Sequence, residues 1–183
     1  MTESRVNIRK ITYTAVTVSL MVAGAYIKIP FFPVPITLQN LFSVLAGIIL
    51  GWKYGMAAQF IYIILGLIGL PVFTSGGGIG YIYHPTFGYL LGFVLCTCVV
   101  GIIVKTKRIK NFAGFLTVSI IGMICVYIIG VPYLFFVANI INNGSNGFAW
   151  FLTNGFLLFV PGDILKCILA GFVGKFVVQN VKL

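Results

Sequence analysis

The stretch 151-FLTNGFLLFVPGDILKCILAGFVGKFVV-178 decides the fold. It is long and apolar enough to cross a bilayer, yet it holds Asp163, the only aspartate in the chain, and Lys166 three residues later. Glu3, at the N-terminal end, is the only glutamate. On a helix, residues three apart share one face. Asp163 and Lys166 each stand ten or more residues from either end of the run, roughly 15 Å of helix from the near interface. An ionised side chain at that depth costs about 2.5–3.5 kcal/mol on insertion scales. A chain with so little acid that places its one internal carboxylate there marks a candidate site.

The rest of the sequence agrees with a membrane solvent. Of 183 residues, 60% are hydrophobic and 8% charged, which excludes an ordinary soluble domain. The length accommodates about six spanning helices. The expectation is an all-α integral membrane protein, one domain over 1–183, with spans near 11–27, 40–50, 56–70, 86–104, 112–137 and 151–178. The second is too short to cross unaided, so the preceding segment is expected to dip into the membrane. Pro132 is expected to kink the outer half of the fifth. The basic start and the Ala23-x-Ala25 pair imitate a signal peptide, but Thr12, Thr14, Thr17 and Ser19 interrupt the apolar core, and it reads as a first span.

A net charge of +10 in a soluble chain would suggest nucleic acid. Here its placement points elsewhere. Arg5, Arg9 and Lys10 precede the first span, Lys53 sits in the turn 51–55, Lys105, Lys107, Arg108 and Lys110 fill one loop, and Lys175 and Lys182 follow the last span. These are alternate loops, the positive-inside pattern with both termini cytoplasmic. Lys28 is the exception, at a helix end where it can snorkel. Cys96, Cys98, Cys125 and Cys167 lie within apolar runs and match no zinc spacing, and His84 has no second ligand, so neither a metal nor a cofactor is expected. No catalytic set accompanies His84, and an enzyme is not expected.

Several features carry two readings. Asp163 and Lys166 form either a structural ion pair or a ligand site or proton relay; Pro161-Gly162, just before them, would weaken the helix and free backbone groups. The external segment 30–35, with three prolines, runs into Thr37, Gln39 and Asn40, either a plain helix end or the rim of a site. The glycines of 76–80 lack the Gly-Lys-Ser/Thr of a phosphate loop. Beside Phe73, Tyr81, Tyr83 and Tyr89 they suit a mobile lid over an amphipathic ligand, or a loop with interfacial tyrosines. Ala15, Ser19 and Ala23 recur every four residues; such a stripe packs inside the bundle or docks another membrane protein.

Four motifs then converge: Pro33-Val34-Pro35-Ile36-Thr37-Leu38-Gln39; Gly69-Leu70-Pro71-Val72-Phe73 with its glycine run; Pro85-Thr86, Gly88-Tyr89-Leu90 and Gly92-Phe93; and Pro161-Gly162-Asp163 with Lys166. In order and spacing they resemble the BioY family, the biotin-specific substrate-binding (S) components of energy-coupling factor (ECF) transporters. The pattern departs from the family's at His84 and Phe87, where glycine is usual, and at Thr74-Ser75, where small residues are usual; these positions bear on the lid. The resemblance implies a six-helix S-component fold in the cell membrane with an outward-facing pocket. It also implies a membrane coupling protein and two cytoplasmic ATPases as partners, since no Walker motif is present. Biotin's ureido ring offers two N–H donors and a carbonyl. Asp163 would accept from an N–H, and Lys166 would donate to the carbonyl or hold Asp163. Val34, Phe73 and Tyr89 would form apolar walls, and Gln39, Thr37 or the amides around Gly77 and Gly78 would take the outer, carboxylate end. The Ala15-Ser19-Ala23 stripe is similar to the family's docking face. The opposing expectation is a self-sufficient proton-coupled carrier with Asp163 as the proton carrier.

Overall fold

The computed structural model describes residues 2–142, 144–145 and 147–180; Lys182 lies outside them, as do the side chains of Glu3 and Arg5. The fold is predominantly helical. Helix α1 is Thr2–Tyr26, α2 Gln39–Leu67, α3 Phe87–Lys107, α4 Phe112–Phe135, α5 Phe148–Leu152 and α6 Val160–Asn180. Wider π-helical turns extend α4 (Phe136–Ile141) and follow α5 (Thr153–Leu157). Four segments are long and apolar enough to cross a membrane: Gln39–Leu67, Phe87–Lys107, Phe112–Ile141 and Phe148–Asn180.

Helix α6 shows how the bundle is solvated. Leu165, Leu169, Phe172 and Phe176 are exposed, while Asp163, Lys166, Cys167, Ala170, Gly171 and Gly174 are buried. Large apolar side chains point outward and small or polar ones inward, the arrangement expected where lipid is the solvent and helices meet through small residues. The interior includes Tyr62, Phe73, Phe115, Val100 and Leu134, each almost fully buried.

Three expectations are revised. The turn 51–55 is helical apart from Gly51, whose φ of 70° and ψ of 179° break α2. The chain doubles back there. A straight helix would hold Ser43 and Gln59 about 24 Å apart, yet both bind one hydroxyl: Thr97 Oγ1 donates to the Ser43 carbonyl (2.9 Å) and Gln59 Nε2 donates to Thr97 Oγ1 (3.1 Å). Only glycine adopts that φ cheaply, so a single residue makes the hairpin where a five-residue turn was expected. Second, the expected loop after residue 137 begins later, because the π-helical turn carries the helix to Ile141. Third, Pro161-Gly162 does not interrupt a helix. It lies in the first turn of α6, where proline's missing N–H has no partner to lose.

At one end of the bundle, two short strands, Lys28–Ile29 and Ile36–Thr37, pair antiparallel around the proline segment, which contains a cis Phe32-Pro33 bond. The Leu38 N–H donates to the Gly24 carbonyl (3.1 Å), tying this hairpin to α1. The glycine-rich loop beside it is pinned as well. Phe73 and Gly76 exchange backbone hydrogen bonds, and the Gly78 N–H donates to the Gly66 carbonyl at 2.7 Å. Gly78 has φ 106°, and a Cβ on Gly77 would meet the Leu70 carbonyl, so these glycines are required by the loop's own path. Tyr26 OH donates to the Pro71 carbonyl and Lys28 Nζ to that of Thr74, fastening the loop to the end of α1 and to the strand that follows it.

Candidate ligand site

The carboxylate of Asp163 sits where the first turns of α2 and α6 meet α4. Its backbone N–H donates to the Phe159 carbonyl at 2.9 Å, which places the side chain at the positive end of α6. Asp163 is 5% exposed and Lys166 6%. Lys166 Nζ lies 2.9 Å from Asp163 Oδ1, and Asn40 Nδ2 donates to the same oxygen at 2.6 Å. Tyr127 OH donates to Oδ2. An ionised carboxylate has about four acceptor positions, so three are occupied and one, on Oδ2, is open. Asn40 is itself held: its side-chain oxygen accepts from the Leu41 N–H at 2.9 Å.

This cluster floors a narrow cavity of about 50 Å³. Val34, Pro35, Thr37, Gln39 and Asn40 come from the proline segment and the start of α2. Tyr89, Leu90 and Phe93 come from α3, Val126 and Tyr127 from α4, and Phe159, Asp163 and Lys166 from the last segment. Thr74, Tyr81 and Thr86 close the loop side. They form one chain of hydroxyls: Thr74 to Tyr81 at 2.9 Å and Tyr81 to Thr86 at 2.8 Å. His84 Nδ1 lies 2.7 Å from Thr86 Oγ1 and accepts from the Thr86 N–H at 3.3 Å, and burial holds its pKa below the usual histidine range. Tyr89 OH donates to the Gly155 carbonyl at 2.8 Å, bracing the π-helical turn. Gln39 is 2% exposed, and its Nε2 has no hydrogen-bond partner. A buried orphan donor costs about 1–3 kcal/mol.

Of the residues singled out in the sequence, the structure brings together Val34, Thr37, Gln39, Tyr89, Asp163 and Lys166 around this cavity. It places three elsewhere. Phe73 is buried behind the loop, its ring 5.4 Å from Tyr62 and 4.4 Å from Tyr81. Gly77 and Gly78 shape the loop and do not line the cavity. Asn40, expected on the rim of a site, and Tyr127, not singled out at all, both touch the carboxylate; the available signal for Tyr127 was a phenol inside an apolar helix. Ala15, Ser19 and Ala23 are all exposed, on the face of α1 opposite buried Val18, Met21 and Ala25, so the stripe does not pack inside the bundle.

A buried, charge-neutralised carboxylate at the floor of a cavity suits a polar ligand head with an N–H donor. The comparisons with known proteins agree with that chemistry. The BioY family model matches residues 1–183. This chain belongs to the BioY family. It is 39% identical over 161 residues to a probable biotin transporter BioY of Lysinibacillus sphaericus, covering 88% of this chain and 82% of that one. It is 36% identical over 166 residues to the biotin transporter BioY of Thermotoga maritima, covering 90% and 93%. Its fold matches the crystal structure of the S-component for biotin from an ECF-type ABC transporter with a TM-score of 0.84 at 29% identity, over 96% of this chain and 94% of that one. This BioY chain is therefore a multi-pass membrane protein with the S-component fold, in a transport family without enzymatic activity.

Proposed function

We infer that this chain is the substrate-binding component of an ECF-type biotin transporter, a single membrane-embedded domain that captures biotin and relies on a partner module for ATP hydrolysis. The observation that carries the reading is Asp163 at the cavity floor, with one acceptor position open and its charge met by Lys166. One ureido N–H donates to Asp163 Oδ2. Lys166 and the unpartnered Gln39 Nε2 supply donors for ligand oxygens. Val34, Tyr89, Leu90 and Phe93 bound the apolar ring and chain. Charge-assisted bonds in a desolvated site discriminate strongly against analogues lacking the matching group.

The chain crosses the membrane six times, counting the two arms of the α2 hairpin separately, with both termini and the Lys105–Lys110 region cytoplasmic. The distribution of basic residues supports this orientation, and the doubling back at Gly51 supports the count. The exposed Ala15-Ser19-Ala23 face of α1 docks the membrane coupling protein, which bears two cytoplasmic ATPases. Small side chains there permit close helix approach. The test is uptake of labelled biotin in cells with and without the partner module. Uptake that needs the module and survives a protonophore supports the reading. Uptake by this chain alone, abolished by the protonophore, supports a proton-coupled carrier in its place.

A further inference from the structure

The ligand cavity is not the only hollow that Tyr127 borders. On the other side of its ring an apolar groove runs between α4 and the α5 segment, lined by Ile128, Val131, Phe135, Phe151 and Phe156. Ile128 and Phe135 are exposed on the outer surface, so this groove opens toward lipid. The two hollows share one lining residue, Tyr127. Its ring is braced from the groove side by Phe156, 4.8 Å away edge-on, and from the cavity side by Tyr89 at 6.4 Å and 87°. Its hydroxyl is anchored on Asp163 Oδ2. Both walls flanking the groove carry π-helical turns, Phe136–Ile141 and Thr153–Leu157, and these backbone irregularities gather at functional places more often than elsewhere.

We propose that Tyr127 is a specificity-determining partition: one aromatic ring separates the deep end of the ligand cavity from the lipid-facing groove and so sets the size limit at the ureido end of the ligand. Packing between Phe156 and Tyr89 holds the ring across the opening. A ligand whose ureido nitrogen carries a bulky apolar group has nowhere to place it while the ring is there. With the ring removed, that group enters the groove, among side chains that are apolar already. Hydrophobic pockets discriminate by size only modestly, by about 10–200-fold, so a single ring of this kind is a sufficient device.

This inference rests on the biotin reading, and the experiment separates the two. Two probes are titrated against purified protein in lipid nanodiscs: biotin, and biotin carrying a benzyl group on one ureido nitrogen. Wild type is expected to bind biotin and to disfavour the benzyl analogue by about a hundredfold. Tyr127→Ala is expected to narrow that ratio by at least about tenfold, through a gain in analogue binding as well as a loss of biotin binding. Tyr127→Phe keeps the ring and loses the hydroxyl, and is expected to keep rejecting the analogue. If Tyr127→Ala does not fold, Tyr127→Val and Phe156→Ala must show the same narrowing. An unchanged ratio in the folded ring-deletion variants overturns the partition. So does a Tyr127→Phe protein that accepts the analogue as Tyr127→Ala does. A wild-type protein that binds neither probe overturns the biotin reading, and the partition with it.

Discussion

Helices α1 and α6 solve opposite problems. On α6 Asp163 and Lys166 face inward, and every oxygen of Asp163 meets a donor from α2, α4 or α6 itself. On α1 the notable residues face outward and offer almost nothing polar: Ala15 and Ala23 are methyls, and the Ser19 hydroxyl is satisfied by the carbonyl of Ala15 at 3.2 Å. The first surface is chemically specific and closed to the surroundings; the second is smooth and open to them. On the proposed reading, recognition of a small polar ligand and recognition of another helix fall on separate elements, and changes on one are expected to be separable from changes on the other.

The largest effect is expected at the buried pair. Lys166→Met keeps the stem and removes the amine, leaving Asp163 with two neutral donors in a low-dielectric site. Breaking a buried pair costs about 3–5 kcal/mol, and biotin affinity by calorimetry should fall at least tenfold. A protein that binds normally and only melts at lower temperature would make the pair a structural tie. Next in size, Ala15→Trp or Ala23→Trp should hold a partner helix away from α1. Uptake in cells with the partner module, and co-purification of the coupling protein, should drop together, while biotin affinity of the isolated chain stays at the wild-type value. Parallel loss of affinity would erase the separation between the two helices.

A smaller effect sharpens the first half of the comparison. Asn40→Leu removes a donor to Asp163 Oδ1 while leaving Lys166 in place. A hydrogen bond to a charged group is worth about 1.5–3 kcal/mol, so affinity should weaken by less than in Lys166→Met, and the double variant should lose less than the sum of the two. Additive losses would mean that Asn40 and Lys166 do not act on one carboxylate. The smallest effect lies on the loop. His84 is kept neutral by burial and accepts from the Thr86 N–H. Because its folded pKa is lowered, the unfolded chain takes up a proton that the folded chain resists. Stability is therefore lost as pH falls below about 6.5. Melting temperature should drop modestly between pH 7.5 and 5.5, and the drop should shrink in His84→Gln.

The deep charges were legible because they violate composition: an aspartate and a lysine inside an apolar run stand out against everything around them. The small-residue stripe on α1 was legible as a period, and only the fold decides which way it faces. Tyr127 and Asn40 were harder. A tyrosine in an apolar helix looks the same whether it packs, anchors at an interface or donates to a carboxylate from another helix; the distinction depends on a contact 36 residues away. Proximity in sequence misled in the opposite direction at Phe73, Gly77 and Gly78. They flank Thr74 and Tyr81, which do line the cavity, but the turn at the glycines sends Phe73 behind the loop against Tyr62. The reversal at 51–55 was legible; that Gly51 alone makes it was not, because a glycine with positive φ leaves no wider mark than the glycine itself.

The most direct measurement is calorimetric titration of biotin into the purified wild-type chain without nucleotide, with Asp163→Asn alongside. Asparagine keeps the shape of the side chain and removes the charge that Lys166 and the ligand N–H both use. Tight binding to wild type, weakened at least tenfold in a folded Asp163→Asn protein, is the expected result. No heat of binding from a wild-type protein shown to be folded, or equal affinity for the two proteins, would contradict the assignment of Asp163 as the centre of a biotin site.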